Sequence, residues 1–176
     1  MDQTLIIGLG NPDPTLEGTY HNVGALAVQW MADHEEEGAP ALKFRSHHNL
    51  FSYAKTGNRI LILPLVFMND SGRAVKEAMH VFGATPSDIV VIHDDSDIPV
   101  GEFKCVRDGG SAGHNGIRSI IDHLGTEDFA RIRIGIRERD EVHRKKAGDF
   151  VLSPISAKDR IAFEEVFKNV TKRETP

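Results

Sequence analysis

Five short polar segments hold the side chains whose types and spacing could do chemistry. In Tyr20-His21-Asn22-Val23-Gly24 a histidine stands directly before a helix start. A helix N-terminus disfavours the protonated ring and keeps a neutral base available. His93-Asp94-Asp95-Ser96-Asp97 packs four ionisable groups into five residues at the end of an apolar run. It reads as an exposed turn, or as a divalent-cation site, although the Gly and distal Glu of a calcium loop are missing. A third reading is a carboxylate that orients a histidine from elsewhere in the chain. Gly109-Gly110-Ser111-Ala112-Gly113-His114-Asn115-Gly116 leads glycine-rich backbone into a helix. Such backbone can offer N–H groups to an anion, and His114 and Asn115 add polarity there; no Gly-Lys-Ser/Thr follows, so this is not a P-loop. Gly8-Leu9-Gly10-Asn11-Pro12 turns tightly, but Pro12 and Asp13 break a dinucleotide fingerprint. Asn11 there either satisfies backbone groups or offers its amide to a ligand. In Phe67-Met68-Asn69-Asp70-Ser71-Gly72, Asp70 or Ser71 suffices to cap the next helix, which leaves Asn69 spare for a ligand.

The elements that must position these groups follow from periodicity. Residues 3–9, 59–63, 89–92, 103–106 and 131–136 are short apolar, β-branched or alternating runs that predict strands, with 48–55 and 59–65 joined as a hairpin across Thr56-Gly57-Asn58. The run 89–92 is continuous, as in a strand buried on both faces, whereas Arg131 and Arg133 alternate with isoleucines as in a half-buried one. Asn22 is placed to cap a helix carrying Val23, Leu26, Ala27, Trp30 and Met31, which ends at 35–40. Ala74, Val75, Ala78, Met79 and Phe82 mark a second helix closed by Gly83. A third opens at Asn115 or Gly116 and reaches Leu124, and a last one, capped by Ser156, runs to about Val170. Residues 10–20 and the charged stretch 137–149 read as loops, and 172–176 as a fraying tail. Strands alternating with helices predict an α/β fold: a single-domain three-layer sandwich over residues 1–176, with a mixed, mostly parallel sheet flanked by helices. Ligand sites in such sheets collect beyond the strand ends, where these motifs lie.

Composition narrows the class. The 176 residues are 40% hydrophobic and 27% charged, ordinary for a globular chain, and no apolar run approaches a membrane span. The N-terminus has no secretion-signal pattern, and the lone Cys105 excludes a disulfide framework and a cysteine-rich zinc site; both suit the cytoplasm. The net charge of −5 argues weakly against a polyanionic partner, but it is unevenly placed: residues 1–100 carry 6 basic and 13 acidic groups, and residues 101–150 carry 10 and 9.

GLGNP at 8–12, HNVG at 21–24, MNDSG at 68–72, HDDSDIPVG at 93–101, GGSAGHNGIRSI at 109–120, RIRIGI at 131–136 and FVLSP at 150–154 span nearly the whole chain in order. Together they resemble the bacterial-type peptidyl-tRNA hydrolase family. The resemblance implies a metal- and cofactor-independent esterase that cleaves peptide from the terminal ribose of tRNA and recycles tRNA from prematurely released peptides. By position, His21 matches the family's catalytic base and Asp94 the carboxylate that orients it. Asn11, Asn69 and Asn115 match the asparagines that hold the peptide, its carbonyl and the water, and Tyr20, Met68 and His114 fall beside them as substrate-binding positions. Lys104 and Arg133 match positions expected to contact tRNA phosphate, with Arg107 next to the second expected basic position, here Val106. Asp13, Leu16, Tyr20 and Arg137-Glu138-Arg139 also depart from the family pattern, around the pocket rim rather than in the catalytic set.

The expected partner is peptidyl-tRNA, with no membrane, no metal and a monomeric chain. Two other classes stay open on the residues alone: an RNA- or ribosome-binding module of the same fold without turnover, and a small-ester hydrolase without tRNA contacts.

Overall fold

The apolar runs assemble into one seven-stranded sheet. In the computed structural model, residues 3–35, 38–138 and 147–172 are described. The strands are β1 (Thr4–Gly8), β2 (Arg45–His47), β3 (Phe51–Thr56), β4 (Arg59–Pro64), β5 (Ile89–Pro99), β6 (Phe103–Arg107) and β7 (Ala130–Arg137). They lie in the order β2-β3-β4-β1-β5-β7-β6. The central four, β4, β1, β5 and β7, are mutually parallel, while β2, β3 and β6 are joined by antiparallel ladders at the two edges.

Helices cover both faces because each central strand is apolar on both. On one face, α1 (Val23–Asp33) and α5 (Ala157–Thr171) bury Val23, Ala27, Met31, Phe163 and Phe167 against Ile6, Ile92, Ile132 and Ile134. On the other, α2 (Ser71–Phe82) and α3 (Asn115–Leu124) bury Val75, Met79, Ile117 and Ile120 against Leu5, Ile7, Ile62 and Val91. The result is the three-layer mixed sandwich expected from the alternation of elements. A short helix α4 (Ala147–Phe150) precedes α5.

Several local expectations are corrected. The strand expected over 89–92 continues to Pro99, so His93, Asp94 and Asp95 are buried strand residues and not an exposed turn. Each finds its own partner, which offsets the cost of burial. Strand β2 was not legible, being three residues of Arg, Ser and His. Asn22 does not cap α1 with its side chain, and neither Asp70 nor Ser71 caps α2. The cap of α2 comes from another helix: the Gly72 N–H donates to Ser119 Oγ of α3 at 3.0 Å. Residues 14–16 of the expected loop, and 20–22 where it meets α1, form 3-10 turns. Most of the charged stretch 137–149 (residues 139–146), together with 36–37 and the tail from 173 on, lies outside the described residues.

Candidate active site

His21, Asp94 and His114 meet midway along β5, where the starts of α1 and α3 come in from the two helical layers. His21 arrives on the 3-10 turn before α1, and α1 lies so close to the sheet that a Cβ on Gly24 would stand 2.2 Å from the Ile92 carbonyl. Only glycine permits that approach. The His21 N–H is held by the Val151 carbonyl at 2.7 Å. His21 Nδ1 donates to Asp94 Oδ1 at 2.9 Å, leaving Nε2 as the unprotonated nitrogen of a ring still 13% exposed. Asp94 itself is 4% exposed. Burial alone would raise its carboxyl, but the charges and hydrogen bonds of His114 and His21 hold it well below the usual carboxylate range.

His114 caps α3 with its own ring. Nδ1 accepts the Gly116 and Ile117 N–H groups, and Nε2 donates to Asp94 Oδ1 at 2.8 Å. Both ring nitrogens are thereby engaged within the protein. His21, Asp94 and His114 offer three ligand atoms within 4.8 Å of one another. An Nδ1 that accepts backbone N–H groups forces the proton onto Nε2, so His114 has no lone pair for a cation and the set does not fit one.

The glycine-rich loop also differs from expectation. Its Gly109 and Gly110 carbonyls accept from the Arg131 guanidinium, and the N–H groups of Gly109, Gly113, His114, Gly116 and Ile117 are all taken within the loop and the helix cap. The loop therefore wraps a cation rather than presenting those groups to an anion. Arg131, expected half-exposed, is 4% exposed and lies over the Phe129 ring.

Asn11 is held more firmly than its motif suggested. Asn22 accepts from the Asn11 N–H at 2.9 Å and donates to its carbonyl at 3.0 Å, while Asn11 Oδ1 accepts the Met68 N–H at 2.8 Å. Its acceptor is used, so Nδ2 is what Asn11 has to offer a ligand. This relay ties His21's neighbour to the turn bearing Asn69, whose side chain is exposed. Met68 is buried, its Sδ packed against Gly116. Tyr20, expected at the substrate, is 7% exposed among Phe150 and Phe163; its hydroxyl donates to Asp159 at 2.6 Å and accepts from the Ser156 N–H. It is a core residue that anchors the His21 turn to the start of α5.

A pocket of about 440 Å³ opens beside the histidines, lined by His21, Asp94, His114, Asn115 and Arg133 among others. Asn11, Tyr20, Met68, Asn69, Lys104 and Arg107 are not in its wall. Lys104 is exposed on β6 and pairs in register with Arg133 of β7. Arg133 donates to Asp95 at 2.6 Å, and Arg107 pairs with Asp128 at 2.8 Å, so two of the three expected phosphate contacts already share their charge. Residues given no individual role from the sequence are Asn22 as a clamp, His93, Asp95, Arg131 and Val151, although the ionisable cluster at 93–97 and a cation in an apolar strand at Arg131 were readable signals.

The family model described as peptidyl-tRNA hydrolase matches residues 5–174. Peptidyl-tRNA hydrolase of Sorangium cellulosum is 38% identical over 168 residues, covering 96% of this chain and 75% of that one. The Coxiella burnetii enzyme is 41% identical over 158 residues, covering 90% and 81%. The crystal structure of peptidyl-tRNA hydrolase from Acinetobacter baumannii superposes with a TM-score of 0.83 at 26% identity, covering 97% of this chain and 86% of that one. With its matched residues running through every element of the sheet and both helical layers, the chain belongs to the peptidyl-tRNA hydrolase family.

Proposed function

We propose that the chain hydrolyses the ester between a peptide's C-terminal carbonyl and the terminal ribose of tRNA, with His21 as general base. One observation carries this: His21 Nδ1–H is fixed on Asp94, which leaves Nε2 unprotonated beside the pocket. Nε2 takes a proton from water as the water oxygen attacks the carbonyl. Asp94 stabilises the imidazolium that forms. Asn115 in the pocket wall, and Asn11 Nδ2 and Asn69 beyond it, supply amide donors for the peptide and the developing oxyanion, where one donor is worth about 3–4 kcal/mol. Collapse expels the ribose oxygen, which recovers the proton from His21. Neither His21, Asp94 nor the asparagines are nucleophiles, so the water attacks directly.

The order of the groups supports the same substrate. In the order of the strands across the sheet stand Asn69 after β4, Asn11 after β1, Asp94 within β5 and Arg133 within β7, with Lys104 beyond on β6. Amides occupy one end of this row and cations the other, as a peptide joined to a polyanion requires. Among the described residues no helix is long and apolar enough to cross a membrane. The reading takes residues 1–176 as one domain acting as a monomer in the cytoplasm.

Purified protein should release N-acetyl-amino acid from N-acetyl-aminoacyl-tRNA in multiple turnovers. Tight tRNA binding without release would overturn this in favour of a binding module. Equal efficiency on a peptidyl-adenosine fragment and on intact tRNA would favour a small-ester hydrolase.

A further inference from the structure

His114 has hydrogen bonds that substrate contact does not explain. Backbone N–H groups can only donate, so the bonds from Gly116 at 3.1 Å and Ile117 at 3.2 Å require an unprotonated Nδ1. The ring proton sits on Nε2 and points at Asp94 Oδ1, the oxygen that also accepts from His21. The His21 and His114 ring centres are 5.0 Å apart, and His93 packs edge-on to His114 at 4.7 Å while donating through Nδ1 to the Asp94 carbonyl. One carboxylate oxygen thus serves two histidines, and the second has its tautomer dictated by the first turn of α3.

We propose that His114 is a positioning residue: held by the α3 N-terminus, it fixes the Asp94 oxygen that faces His21 and moderates that oxygen's pull on the His21 proton. This rests on His21 being the general base. A donor already on Oδ1 shares its charge, so less remains to stabilise protonated His21 in the resting enzyme. The positive end of α3 acts in the same direction. The other ionisable groups around Asp94 are turned elsewhere, His93 to the Asp94 carbonyl and Asp95 to Arg133.

Two substitutions separate the roles of the two nitrogens. In His114→Asn the side-chain oxygen replaces Nδ1 and keeps the cap, but nothing reaches Asp94. In His114→Gln the amide nitrogen replaces Nε2 and keeps the Asp94 donor without the cap. Each variant is assayed for kcat and KM on N-acetyl-aminoacyl-tRNA across pH, with thermal melting as the control. The expected result for His114→Asn is a near-native melting temperature, a kcat down by roughly tenfold with KM little changed, and the acid limb of the profile moved up by about half a pH unit or more. His114→Gln should leave that limb in place even where it melts lower. Nitrogen-15 NMR of the wild-type protein should show the Nε2–H tautomer of His114. Wild-type kcat and pH limb in His114→Asn would overturn the proposal, as would a change in KM alone or an Nδ1–H tautomer. Full activity in His21→Ala would instead remove the reading on which it rests.

Discussion

At the scale of single residues, the site depends on which partners its buried ionisable groups find. Asp94 stays ionised because two histidines donate to it, and Asp95 accepts from Arg133. His93 is the opposite case: burial first, and the nearby His114 and Arg131 charges with it, push its ring down to about 3. It stays neutral in the folded chain where an unfolded chain's histidine protonates. Its contribution to stability is therefore complete above pH 6.5 and is lost progressively as pH falls towards about 3. Between pH 7 and pH 5, above the range where Asp94 titrates, the wild type should lose about 2 kcal/mol more than His93→Phe. Urea unfolding at the two pH values measures this, and equal losses would show that His93 is not the titrating group. Residue types marked His21 and the 93–97 cluster as candidates, and the family resemblance, not local chemistry, picked out Asp94 and the asparagines. The sequence hid the commitments of Tyr20, His114 and Arg133, since a side chain's bonds across distant elements leave no mark in local spacing.

At the scale of elements, periodicity located α2, α3 and α5 closely, because apolar faces decide where helices lie. Capping was misread at α1 and α2 for a tertiary reason. Asn22 is drawn off to clamp Asn11, and α2 takes its cap from Ser119 of α3. Ser119→Ala leaves the buried Gly72 N–H without a partner and should cost about 1–3 kcal/mol in equilibrium unfolding. Since His114 caps the start of α3, part of the loss should appear as lower kcat. A change within a few tenths of a kcal/mol would mean that the interhelical cap is dispensable. The continuation of β5 through His93, Asp94 and Asp95 was likewise illegible, because charged residues in a strand are tolerated only where other elements supply their partners.

At the scale of the whole molecule, alternation of elements was enough to predict the layered sheet, and seven ordered motifs were enough to predict the family. The edge order that lines up Asn69, Asn11, Asp94, Arg133 and Lys104 came only from the structure, since strand order is not written in chain order. Net charge at first argued against tRNA, yet Lys104 and Arg133 sit side by side at one end of that row. Arg133 there already shares its charge with Asp95. Lys104→Ala should weaken tRNA binding at all sequences and lower its logarithmic salt slope by about one, and Arg133→Ala by less. An unchanged slope in Lys104→Ala would place the tRNA body elsewhere. The central claim is that His21 draws the proton from the attacking water, and it is tested most directly by the single-turnover hydrolysis rate of His21→Ala on N-acetyl-aminoacyl-tRNA. The rate should fall by about 10²–10⁴-fold with tRNA binding and circular dichroism unchanged; a rate within about twofold of wild type would contradict it.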